Sequence, residues 1–277
     1  MAIFSLFKSL SEGFSYDFMR LALVVGLSLA LCAALIGVPL VLKRSSMIGD
    51  GLSHVAFGAF AIAFSLSLTP LYFAIPVVLL AAFLVVRLNQ RSELKSDAII
   101  AVMSAAALAI GSFAITVTGA NVDINSYLFG SILSLSQADL ILSLAVTMFC
   151  LAIFTVFYHK IFAISFDEDF ARSIGVRTQV YSVVFAIMCA LVIVLGMRMM
   201  GALLISSLMI FPVLTAQQFA KSFRAVVLGA GGFAVLAFLI GLAASYLWGT
   251  PSGSTIVLVN LGILIVAVLI RKIRYLA

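Results

Sequence analysis

A helix needs about 20 mostly apolar residues to cross the hydrocarbon core of a bilayer, and runs of that order fill most of this sequence. They fall near residues 17–42, 46–68, 70–88, 97–118, 138–159, 178–196, 200–220, 225–247 and 254–271. In lipid, backbone polar groups must be paired within the spanning segment, so such runs read as helices. Only 9% of the 277 residues are charged. A soluble domain carries about 25%, and a solvent-facing surface cannot be built from so few. The expected fold is an all-α integral membrane protein, a polytopic bundle of about 8–9 transmembrane helices forming one transmembrane domain over 1–277. No fixed-period repeat, soluble domain or long linker interrupts it.

The remaining segments are short. Residues 1–16 place apolar side chains at helical spacing around Lys8 and Glu12, the pattern of a helix lying in the membrane interface. Glu12 and Asp17 stand where a signal peptide would be basic, so no removable leader is expected. The stretch from Thr118 to Gln137, containing "NVDINSYLFGS", is too polar to span. Nine alternating spans with the N-terminus outside and the C-terminus in the cytosol put every lysine and arginine except Lys8, Arg20 and Arg198 on the cytosolic side, which satisfies the positive-inside rule. A prokaryotic plasma membrane is the expected location. The net charge of +6 comes from these loop residues and forms no basic patch interleaved with aromatics, which argues against nucleic acid. Cys32, Cys150 and Cys189 lie within apolar runs without metal-site spacing and read as small hydrophobes.

Against this background "MIGDGLSHVAF" (Met47 to Phe57) is unusual. Asp50 and His54 stand four residues apart and share a helix face, together with Ser46 and Gly58. Intramembrane ionisable residues are functional by default. A carboxylate oxygen with an imidazole nitrogen is half of a site for zinc, manganese or iron(II), better suited to these than to calcium or magnesium. Small neighbours such as Ser46 and Gly58 let an ion or another helix come close. Two other readings remain open: a pair that locks helix packing, and a proton relay. If the helix begins just after Arg44, Asp50 lies only one or two turns from the cytosolic side.

A second charged stretch, "SFDEDFARSIGVRTQ" (Ser165 to Gln179), lies between two spans. Asp167, Glu168 and Asp169 begin a short helix, where acids complement the dipole, and Gly175 can end it in the left-handed conformation. Phe166 and Phe170 projecting from residues 165–177 suit docking into a groove on another protein. A solvated charged loop is the alternative. Arg198, in "GMRMMG", reads either as a gating residue or, preferably, as an arginine snorkelling at the outer interface. Met197, Met199 and Met200 read as apolar filler ahead of soft-metal ligands. Pro212 is expected to kink its helix and help shape a cavity.

Four motifs, "GDGLSHVAFGAF", "NSYLFGSIL", "FDEDFARSIGV" and "RMMGALLISSLMIFPVLTAQ", taken in this order, resemble the membrane permease subunits of the zinc/manganese-type ABC importer family. The resemblance covers about residues 40 to 220. It implies a homodimeric or paired permease working with cytosolic ATP-binding subunits and an extracytoplasmic metal-binding protein. It also implies that Asp50 and His54 lie in the metal path, and that Asp167, Glu168, Phe170, Ala171 and Gly175 belong to a cytosolic coupling helix. Ser46, Gly58, Arg198 and Pro212 are candidate gate or path residues. No G-x-x-x-x-G-K-[ST] motif occurs, so ATP hydrolysis is expected on a partner chain and this chain is not read as an enzyme. The expected activity is import of a divalent transition metal, zinc preferred and manganese next, with the ion bound only in transit and no permanent cofactor. The alternatives are a proton-coupled secondary metal transporter and a permease for a metal chelate such as a siderophore or cobalamin.

Overall fold

The computed structural model describes residues 16–91, 96–119, 130 and 135–276. Eleven helices follow one another among the described residues: α1 (Asp17–Leu42), α2 (Met47–Ser65), α3 (Pro70–Arg91), α4 (Ser96–Thr118), α5 (Gln137–Val156), α6 (Tyr158–Phe166), α7 (Glu168–Ser173), α8 (Thr178–Met200), α9 (Ala202–Gln217), α10 (Phe223–Trp248) and α11 (Ser252–Leu276). Eight of these, namely α1 to α5, α8, α10 and α11, are long and apolar enough to cross a membrane. The ninth expected span is α9, whose 16 residues extend about 24 Å, less than the roughly 30 Å of a hydrocarbon core. The expected interfacial helix at 1–16 lies almost wholly outside the described residues, as does most of "NSYLFGSIL".

The sequence places a single span over 138–159, but the helix ends earlier. At Phe157 the backbone leaves helical geometry (φ −98°, ψ 13°) and a separate helix, α6, begins at Tyr158. Aromatic contacts hold this bend: Phe157 packs edge-on against Tyr181, and Tyr158 and Phe162 pack against Phe223. Hydropathy cannot distinguish such a corner from a continuing helix, because both sides of it are apolar.

Alternating directions sort the helix ends into two groups. At one end, Lys43 meets Glu168, Asn89 lines the same cavity, Phe166 packs against Phe223, and Arg271 donates to Gln218 Oε1 at 3.1 Å. Lys43, Arg172 and Arg271, which the sequence groups on one side, lie at this end. At the opposite end, Arg198 pairs with Asp139.

Helices α1, α2 and α8 bury most of their length, whereas α3, α4, α5 and α11 leave most side chains at the periphery. Where no hydrophobic force drives helix association, close backbone approach takes its place. Gly58 illustrates this on α2. A Cβ there would overlap the Ala107 carbonyl oxygen of α4, and Gly111 of α4 presses back on the Gly58 backbone. Gly58 is thus a packing point between α2 and α4. Pro212 is buried within α9. Met197, Met199 and Met200 are fully buried near the α8–α9 turn, which agrees with their reading as filler.

Candidate functional site

The turn from Lys43 to Ser46 reverses the chain between α1 and α2. Arg44 adopts a left-handed φ of 56°, and the N–H groups of Arg44 and Ser45 donate to the carbonyls of Val41 and Leu40. Ser46 occupies the N-cap position of α2, half-buried and without a capping bond from its side chain. Asp50 therefore falls in the first turn of α2, where the helix dipole favours a carboxylate.

His54 follows one turn later, with its Nε2 at 3.5 Å from Asp50 Oδ2. The two groups share a helix face, as their spacing requires. Ser53 Oγ donates to the Asp50 main-chain oxygen at 2.7 Å and so leaves the carboxylate free for other partners. From α9, Ser206 lies beside Asp50 and donates its hydroxyl to the Ala202 carbonyl at 2.7 Å. The Sδ of Met209 lies 3.3 Å from where a Cβ on Gly49 would stand.

From Gly49 to Ala61 every residue is buried except Asp50 and His54. Their side chains are 51% and 30% exposed, so the two most polar groups of α2 are also its two openings. An oxygen donor and a nitrogen donor are thus exposed on an otherwise buried stretch of α2. No group of three or more His, Cys, Asp or Glu side chains among the described residues could enclose a metal.

The second charged segment forms a short capped helix. Asp167 is the N-cap of α7 and its carboxylate accepts from the Phe170 N–H at 2.8 Å. Ala171 is fully buried and anchors the helix, while Phe166, Phe170 and Ile174 project with about 60% exposure each. Gly175 takes φ 85° just beyond the end, and the Val176 N–H closes onto the Ala171 carbonyl. The left-handed stop is the one expected at this glycine. Glu168 pairs with Lys43 at 3.1 Å and with Arg172 at 3.7 Å.

Arg198 has a partner on another helix. Its Nη1 lies 3.2 Å from Asp139 Oδ1, whose side chain is only 8% exposed. Asp139 also accepts from the Ser136 N–H and hydroxyl in a capping box at the start of α5. A buried, multiply hydrogen-bonded carboxylate holds the guanidinium, so Arg198 ties α8 to α5. Asp139 and Ser206 went unread in the sequence. The S-x-x-D pattern of Ser136 to Asp139 is a legible capping signature, but nothing local distinguishes Ser206 from Ser207.

The match to known proteins extends well beyond these segments. The family model described as "ABC 3 transport family" matches residues 15–271. The chain is 30% identical to the manganese import system permease protein ScaB of Streptococcus gordonii, over 94% of both chains. It is 31% identical to a probable metal transport system membrane protein of Treponema pallidum, over 93% of this chain and 97% of that one. Its fold matches the structure titled "PsaBC from Streptococcus pneumoniae in complex with Fab" with a TM-score of 0.83 and 28% identity, over 94% of each chain. The chain is a membrane permease of the ABC 3 transport family.

Proposed function

We propose that this chain is the translocation subunit of an ATP-driven importer of a divalent transition-metal ion, with manganese ahead of zinc. The observation that carries this reading is the opening of α2 at Asp50 and His54 alone, within an otherwise buried stretch. A carboxylate and an imidazole suit manganese and zinc alike. The similar permease named for its metal is named for manganese, which moves manganese ahead of the zinc preference read from the sequence.

A half-site suits transport. Two donors per chain hold an ion in transit, whereas a closed four-ligand site would retain it. A second copy of the chain or a paired permease completes the site, and the ion arrives from an extracytoplasmic metal-binding protein. ATP-binding subunits dock at the basic end, against α7 with its projecting Phe170 and the neighbouring Phe166 at the end of α6. This orientation puts the basic end in the cytosol with the C-terminus, and the N-terminus outside.

The test is manganese uptake into liposomes holding the permease and its ATP-binding partner. Uptake should require ATP and should fall at least about ten-fold in Asp50→Ala and in His54→Ala, with the complex still assembled. Full uptake in both variants would reject the site. Uptake by the chain alone under a pH gradient would replace the ATP-driven reading with a proton-coupled one.

A further inference from the structure

The structure assigns Lys43 and Glu168 a role as positioning residues: their ion pair ties the docking helix α7 to the turn that carries the Asp50 helix. This inference rests on the ATP-driven reading above and names the link through which a moving α7 would act on the metal pair.

Three observations support it. Lys43 Nζ donates to Glu168 Oε2 at 3.1 Å across 125 residues of sequence, and both side chains are largely screened from solvent, at 26% and 36% exposure. Lys43 ends α1, and only Arg44, Ser45 and Ser46 separate it from α2, with Asp50 in the first turn of that helix. The left-handed Arg44 and the bonds back to Leu40 and Val41 close this turn tightly, so a pull on Lys43 moves the start of α2.

The third observation is a cavity of about 130 Å³ bounded by Lys43, Ser45, Ile48, Ser165, Glu168 and Tyr181, among others. Void space therefore lies where packed side chains would otherwise carry motion from α6 and α7 to the α1–α2 turn. The ion pair spans that gap. Arg172 holds the second oxygen of Glu168 at 3.7 Å, which keeps the carboxylate oriented toward Lys43.

The experiment uses the reconstituted complex with its ATP-binding and metal-binding partners, measuring manganese uptake and ATP hydrolysis in the same vesicles. Lys43→Glu should retain the co-purifying ATPase and at least half its hydrolysis rate while uptake per ATP falls ten-fold or more, and Glu168→Lys should lower uptake per ATP at least as far. The exchanged pair, Lys43→Glu with Glu168→Lys, should restore uptake per ATP to within three-fold of the unmodified complex. Unchanged uptake per ATP in the single variants overturns the inference, as does a double variant no better than either single. Loss of the ATPase from the Lys43→Glu complex also overturns it, because Lys43 would then serve assembly and not transmission. If the unmodified complex shows no ATP-dependent uptake, the importer reading itself fails, and this inference with it.

Discussion

Asp50 and His54 are costly residues to place in a bilayer, with an aspartate near a helix centre costing roughly 2.5–3.5 kcal/mol on insertion scales. About half of the Asp50 side chain and a third of the His54 side chain are nonetheless left open. The spacing of the pair was legible in the sequence, because four residues on a helix fix a shared face. Its neighbour Ser206 was not, since which serine of α9 faces α2 depends on how the two helices are rotated against each other. Gly58 shows a similar limit. The sequence puts it on the Asp50 face as a path residue, whereas the structure uses it against Ala107, because positions eight apart on a helix have already drifted by about 80°. Gly58→Ala should therefore destabilise the protein by about 1–3 kcal/mol through overpacking, seen as a lower thermal midpoint in detergent. Arg198→Ala should likewise cost about 1–3 kcal/mol by removing the partner of the buried Asp139. Arg198→Lys, which keeps the charge, should lose less in the same melting measurement.

At the scale of elements, α7 illustrates what capping chemistry makes readable. Its acidic start, its N-cap Asp167 and the left-handed Gly175 all appear in the sequence, and the helix forms where they stand. What the sequence could not reveal is the corner at Phe157, which is set by aromatic partners on α8 and α10, far along the chain. Phe170 projects from α7 without packing inward, so Phe170→Ala should leave the permease folded and its melting midpoint unchanged. The same variant should lose the co-purifying ATP-binding subunit in an affinity pull-down. Retention of that subunit at the level of the unmodified protein would contradict a docking role for α7.

At the scale of the whole molecule, the bundle has a basic end, an opposite end held by the Arg198–Asp139 pair, and an Asp–His pair left open on α2. On the proposed function, a second copy or a paired permease completes the site, which makes the assembly part of the chemistry. The central claim is that Asp50 and His54 hold the ion as it passes. Pulsed electron paramagnetic resonance on the manganese-loaded complex tests this most directly, because a bound imidazole imprints a nitrogen coupling on the manganese signal. The unmodified complex should show that coupling, and His54→Ala should lose it while the assembled complex remains intact. Nitrogen coupling that persists unchanged in His54→Ala would contradict the account.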